Sequence, residues 1–239
     1  MNRYISFIAA VCAAMAVTTA SAQEWVWGLK GGLNVANISH HGENTDGKDQ
    51  YNRSRFAGVA GLTGEYFFND KFSLGAELLY SMQGSRYKYP TNYAFDDTDI
   101  SDYYEDCTVV YKFGYINLPI LFGCRVSENF DIFFKIGIQP GFRVSGSSKT
   151  VWRDSEGNKE VWKNDTDYEF DYTDINDDYY MFDLGIPVGL SYNLNKHWSV
   201  EARYTVGVLN TFDKPDDDDY DKEFSTTNHS FAITLGYKF

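Results

Sequence analysis

The last eleven residues, His229 to Phe239, read H-S-F-A-I-T-L-G-Y-K-F, with an apolar or aromatic side chain at every second position from Phe231 onward. Phe231, Ile233, Leu235, Tyr237 and Phe239 therefore share one face of a strand, and Ala232, Thr234, Gly236 and Lys238 share the other. A soluble β-protein buries such a face against a second sheet. A chain that also carries an export signal has another apolar medium available, the outer-membrane bilayer.

The export signal lies at the other end of the chain. Arg3 supplies a basic start, an Ala-rich apolar run covers Ile5 to Val17, and Ala20-Ser21-Ala22 is a small-x-small cleavage site. These features predict a signal peptide over 1–22 and a mature domain over 23–239. The run is too short to cross a bilayer as a helix, and no later stretch reaches the roughly 20 apolar residues a helix needs. Cys12 lies inside the run and leaves with it.

Composition narrows the class. Tyr, Phe and Trp make up 18% of the chain, Gly is frequent, and the mean hydropathy is still polar at −0.42. That mixture suits strands that meet lipid on one side only. Cys107 and Cys124 both fall on one extended segment, which would hold them roughly 56 Å apart at about 3.3 Å per residue, far beyond disulfide reach.

Period-two patterning recurs in eight segments. They are Trp25 to Ala36, Arg55 to Phe68, Phe72 to Gln83, Val109 to Val126, Phe130 to Arg143, Tyr179 to Tyr192, Trp198 to Leu209, and the terminal strand. The third is the cleanest, with Phe72, Leu74, Ala76, Leu78, Tyr80 and Met82 opposed to Ser73, Gly75, Glu77, Leu79, Ser81 and Gln83. The connections alternate in length. Those near 69–71, 127–129 and 193–197 are short, whereas 37–52, 84–106, 144–178 and 211–228 are long. An up-and-down outer-membrane barrel has short periplasmic turns and long outer loops, and an even strand number places both termini in the periplasm. The expected fold is all-β, an eight-stranded antiparallel transmembrane barrel whose first and last strands pair, because an open edge in hydrocarbon leaves backbone groups unsatisfied.

Two features strain this reading. The fourth segment is apolar at odd positions in Val109, Tyr111 and Phe113 but at even ones in Ile116, Leu118, Ile120 and Phe122, so a β-bulge near Gly114 is expected, or a first half standing above the bilayer. Pro119, Pro140 and Pro187 each remove a ladder donor and call for bulges or strand ends. Aromatic girdles are expected at both ends, from Trp25, Trp27, Phe68, Phe72, Tyr192, Trp198 and Tyr237 at the periplasmic side and Tyr80, Phe142, Tyr180 and Phe182 at the outer side.

F-x-L-x-x-E-L-L-Y-S at Phe72 to Ser81, Y-I-N-L-P-I-L at Tyr115 to Leu121 and E-A-R-Y-T-V-G at Glu201 to Gly207 give the mature chain a family likeness. It resembles the small porin-like or PorT-like outer-membrane β-barrels of Gram-negative bacteria. That resemblance implies the location and the fold. One branch of the family serves a protein-secretion system, and for the rest no function is implied.

Charge is segregated along the chain. The four long loops hold 26 of the 34 acidic residues and 9 of the 21 basic ones, a balance of −17 in a protein whose net charge is −13. Solvation of exposed loops accounts for much of this. A weak divalent-cation role is the sharper reading, with Asp165, Asp167, Asp216, Asp217, Asp218 and Asp219 as candidates, although neither cluster has the spacing of an EF-hand loop. Bound cations could also bridge the loops to anionic lipopolysaccharide. The acids are interleaved with Tyr87, Tyr89, Tyr93, Phe95, Tyr103, Tyr104, Trp152, Trp162, Tyr168, Phe170 and Tyr172. Such aromatics either contact a glycan or a basic protein, or pack within strands extended above the membrane.

Inward positions carry Lys30, Glu65, Glu77, Lys135, Glu201, Arg203 and Lys238, a mixed-sign set in a lumen that eight strands leave just wide enough for side chains. Charges confined there must pair. No catalytic set, cofactor or nucleic-acid partner is expected, since His40, His41, His197 and His229 have no Ser or Asp tied to them by motif. The function expected is therefore non-enzymatic, a structural or surface-interaction role through the outer loops. The alternatives are transport of a small or lipophilic solute, and an accessory role in protein secretion. Expected partners are outer-membrane lipid, lipopolysaccharide and the barrel-assembly machinery, which would recognise the terminal Phe239.

Overall fold

The computed structural model describes residues 24–41, 51–90, 104–127, 129–154, 157, 159–164, 180–211 and 225–239. The signal segment and the acidic candidates Asp165, Asp167 and Asp216 to Asp219 lie outside these residues. Among the described residues there are eleven strand segments: β1 (Glu24–His41), β2 (Asn52–Phe67), β3 (Phe72–Gln83), β4 (Ser85–Pro90), β5 (Tyr104–Asn117), β6 (Ile120–Arg125), β7 (Ile132–Asp154), β8 (Lys159–Asn164), β9 (Phe182–Asn193), β10 (Trp198–Gly207) and β11 (Ser225–Lys238). Every ladder is antiparallel, and the pairing runs β1–β2–β3–β6–β7–β9–β10–β11 and back to β1. The ring closes through β1 and β11, from Gly28 opposite Lys238 to His41 opposite Ser225. No sheet edge remains in this circuit, as the backbone requires where water is absent.

The alternation read from the sequence sets the two faces. On β3, Glu77 is 7% exposed and its neighbour Leu78 is 46% exposed. The same outward apolar face runs through Leu33, Leu62, Ile136, Ile186, Tyr204 and Ile233, all exposed in the isolated chain. At the end that carries both termini, Trp25 and Trp27 stack with ring centroids 5.8 Å apart, Trp25 meets Tyr66, and Trp198 meets Tyr237 edge-on at 5.0 Å. Gly64 lies beneath Trp27, where an added Cβ would come within 2.8 Å of the ring. At the opposite end Phe142 and Phe182 meet at 5.2 Å.

Short connections form at the terminal end for local reasons. The side-chain oxygen of Asn69 accepts hydrogen bonds from the backbone N–H groups of Lys71 and Phe72, and that of Asn195 accepts from those of His197 and Trp198. Asn in this role mimics a backbone turn. Between β6 and β7, Arg125 Nε donates to Asp131 Oδ1 at 3.0 Å.

The bulge expected near Gly114 is present, but on the partner strand. A register shift does occur between Gly114 and Tyr115, but the extra residue is Val144 of β7, because Gly114 faces Ser145 while Tyr115 faces Arg143. β5 and β6 keep one facing: Cys107, Phe113, Tyr115 and Asn117 of β5 and Leu121 of β6 are all buried and point inward. The lumen changes character here, from polar to aromatic, so the sequence pattern switches while the strand does not.

The prolines sit where the ladder gives way. Pro119 lies in the two-residue break between β5 and β6, which keep one register against β7 on either side of it. The break is bridged by Glu77 N–H donating to Pro119 O at 3.0 Å and Leu118 N–H donating to Pro140 O at 2.8 Å. Beside Pro187 the β7–β9 ladder skips from Ile136–Val188 to Gln139–Gly185. Gly84 separates β3 from β4 with φ of 123°, and an added Cβ would lie 2.2 Å from Tyr111 O, so only glycine fits there.

Several stretches read as loops are strand instead. β1 extends to His41, β4 covers 85–90, β5 begins at Tyr104, β7 continues to Asp154 with β8 paired beside it, and β11 begins at Ser225. The reason is continuity of pairing: a ladder that is already in register extends beyond the apolar belt, where period-two hydrophobicity stops but backbone hydrogen bonding does not. Of the two readings of the loop aromatics, Tyr87 and Trp152 follow the second, buried on the inner face of extended strands.

Candidate functional site: an ion-paired lumen

The interior is built in layers, each supplied by alternate residues of facing strands. Nearest the termini, Asp131 accepts from Arg125 and from Asn193 Nδ2 at 2.8 Å, while Lys238 Nζ donates to Asn193 Oδ1 at 2.7 Å. Phe67 and Phe133 meet edge-on at 5.7 Å above them. Next comes Lys135, whose Nζ lies 2.9 Å from Glu65 Oε1, with Ser73 Oγ donating to the same carboxylate at 2.7 Å.

The central layer joins three strands. Lys30 Nζ on β1 lies 2.6 Å from Glu77 Oε1 on β3 and 3.0 Å from Glu201 Oε2 on β10. Arg203 on β10 donates to both carboxylate oxygens of Glu77, at 2.8 and 2.9 Å, and its Nη2 lies 2.5 Å from Glu201 Oε1. Two cations therefore face two carboxylates, and all four side chains are buried. The forked guanidinium contact fixes geometry as well as charge. The structure brings Lys30, Glu77, Glu201 and Arg203 into one cluster and places Lys135 with Glu65 in the adjoining one.

Beyond that layer amides and hydroxyls outnumber charges, with Asp183 and Arg143 the ionisable groups among them. Asn34 Nδ2 donates to Ser81 Oγ at 2.9 Å and to Met82 O at 2.8 Å, and Asn228 Nδ2 donates to Gln83 Oε1 and, at 3.2 Å, to Asp183 Oδ2. Ile38, Phe113 and Tyr115 then form an apolar plug with Tyr111 against it, and the Arg143 guanidinium lies 5.5 Å from the Phe113 ring centre. Sequence patterning did not find this plug, since it left Phe113 and Tyr111 either turned by a bulge or standing above the bilayer. Their cross-strand partners in β7, Gly146 and Ser148, are small and offer no apolar side chain, unlike a lipid-facing row.

Two voids of about 30 Å³ each flank the central cluster, one lined by Asn34, Ser81 and Arg203, the other by Glu65, Lys135 and Lys238. Each has room for a water or two, not for a solute path. His197 stacks on Tyr237, and His229 lies between Tyr204 and Thr227. Phe239 N–H donates to Trp27 O at 2.9 Å, and its ring meets Tyr237 edge-on.

A closed antiparallel ring, apolar outside, with aromatic belts at both ends and a polar interior, defines a transmembrane β-barrel. The chain belongs to the outer membrane protein beta-barrel domain family, whose model matches residues 21–213. It is a protein of the bacterial outer membrane. No curated protein sequence matches it. Among solved structures it is similar to the attachment invasion locus protein Ail of Yersinia pestis, at 13% identity over 90% of this chain and 99% of that one, TM-score 0.42. It is also similar to Neisserial surface protein A, at 12% identity over 89% and 97%, TM-score 0.42. OprG from Pseudomonas aeruginosa aligns at 14% identity over 92% and 98%, TM-score 0.39.

Proposed function

We propose that this chain is a non-conducting, non-enzymatic surface barrel of eight strands, whose working part is the end opposite the chain termini. β3 with β4, β5 with β6, and β8 with β9 then each count as one strand. The mature protein is 23–239, released from the signal peptide 1–22, with both termini in the periplasm and the acidic, aromatic loops outside. The observation that carries the reading is the Lys30–Glu77–Arg203–Glu201 cluster, which joins β1, β3 and β10 across the lumen. Opening a path there would separate buried charges from their partners, a loss on the order of several kcal/mol.

Outer-membrane lipid and lipopolysaccharide surround the wall, the assembly machinery reads Phe239, and a protein or glycan partner engages the outer loops. Weak cation binding at Asp165, Asp167 and Asp216 to Asp219 belongs to the same end. The test is paired. Liposomes carrying the purified protein are assayed for solute uptake, and intact outer membranes are used in a pull-down with and without residues 165–179. Silence in the first and loop-dependent capture in the second support the proposal, and uptake through the wild-type barrel overturns it.

A further inference from the structure

The acidic character of the far end conceals a basic cleft. A depression of about 410 Å³ lies where β2, β4, β5, β7 and β8 run together, and five of its described lining residues are cations: Arg55, Arg86, Lys149, Arg153 and Lys159. None of the described lining residues is acidic. Asp106 is the cross-strand partner of Arg153, so the face sets five described cations against one acidic position.

Register places most of this set on the outside of the wall. Arg86 pairs with Val110, Val110 with Lys149, and Arg153 with Lys159, so these side chains share one sheet face across four strands. Tyr87, Cys107 and Trp152, the alternating neighbours on the same strands, are buried on the inner face. The cleft therefore opens away from the lumen.

Its apolar lining decides what kind of anion fits. Phe56, 78% exposed, and Val110, Val151 and Val161 lie in the same depression. Along each strand the cations follow directly on the lipid-facing run: Arg86 comes four residues after Met82, and Lys149 five after Val144, or about 13 to 17 Å along the strand. A freely soluble anion has no use for the apolar floor, whereas an amphiphile presents its phosphates at that height with its chains below. One donor already waits, because Arg153 Nε is buried and has no hydrogen-bond partner among the described residues. A buried donor in that condition costs about 1 to 3 kcal/mol until a ligand satisfies it.

We infer that this cleft binds the phosphorylated saccharide head of an anionic glycolipid from the surrounding leaflet. The inference rests on the proposed outer placement of that end. Guanidinium and ammonium groups from four strands would grip two phosphates at once, tying the extended strands to the membrane surface and offsetting the repulsion between acidic loops and anionic lipid.

Native mass spectrometry of the full-length barrel in detergent tests binding independently of orientation. The probes are bisphosphorylated lipid A, its dephosphorylated counterpart and soluble tripolyphosphate. Lipid A is expected to remain bound, with retention falling at least about tenfold for the dephosphorylated form and for a Lys149→Glu, Arg153→Glu, Lys159→Glu variant. Lys71→Glu, in the turn at the other end, should change nothing. Heat-modifiable gel migration shows that each variant is folded, and the single substitutions Lys149→Gln and Arg153→Gln replace the triple one should it fail. Equal retention of the dephosphorylated lipid, full retention by the folded variants, or tripolyphosphate binding as tight as that of lipid A would overturn the inference. Surface biotinylation of Lys149 in intact cells reads the placement separately, so a misplaced end is not confused with an empty cleft.

Discussion

Lys30 and Glu77, 47 positions apart in the chain, meet across the barrel interior at 2.6 Å. The contact joins β1 to β3 although β2 separates them around the wall. Arg203 and Glu201 reach the same carboxylate and ammonium from β10, so one charge cluster braces three parts of the ring.

Removing one member strands the others. Glu77→Leu leaves Lys30 and Arg203 sharing the single carboxylate of Glu201 in a buried site. The substitution should destabilise the barrel by about 3 to 5 kcal/mol, measured by denaturant unfolding in micelles. A loss below roughly 1 kcal/mol, typical of an exposed pair, would show that the cluster is solvated.

The next residue along the chain faces the opposite medium. Leu78→Arg puts a cation on the lipid side of β3 and should cost about 2 to 4 kcal/mol if the site lies near the bilayer midplane. The same unfolding measurement in lipid vesicles checks it, and a cost near zero would mean that the facing is inverted.

Both of those positions were legible in the sequence, because a strict period of two separates Glu77 from Leu78 without any knowledge of the neighbours. The outward rows were legible for the same reason, the short turns at Asn69 and Asn195 as the gaps between periodic segments, and the pairing of first and last strands because an open edge in hydrocarbon leaves backbone groups unsatisfied. What failed was the assumption that an apolar residue faces lipid. Phe113 and Tyr111 face inward because the lumen above the ion cluster is filled by aromatic side chains, and one sequence cannot distinguish two apolar destinations. Strand ends were misjudged because ladders outlast the hydrophobic pattern. The basic cleft was invisible for a third reason: its five cations come from four strands, and counting charge by segment merged them with nearby acids.

Phe113 provides a direct check of that correction. With its ring 3% exposed among Ile38 and Tyr115, Phe113→Ala should cost about 3 to 5 kcal/mol. Ile116→Ala, three residues on and outward, should cost less when both are unfolded in vesicles. The reverse order would restore the lipid-facing assignment.

Phe239 lies at the end of the closing strand, bonded to Trp27 of the first. Deleting it should lower the amount of barrel assembled in the outer membrane, with unassembled chain accumulating in the periplasm. Protein that does assemble should bind outer-end partners unchanged. Normal assembly would remove the residue from the signal.

The central claim is that the lumen is closed by its own charges and side chains. Single-channel recording of the purified barrel in planar bilayers addresses it most directly. The wild-type protein is predicted to insert without discrete openings, while the same preparation shows heat-modifiable migration on gels. Stable, reproducible open-channel steps from the folded wild-type barrel would contradict the account.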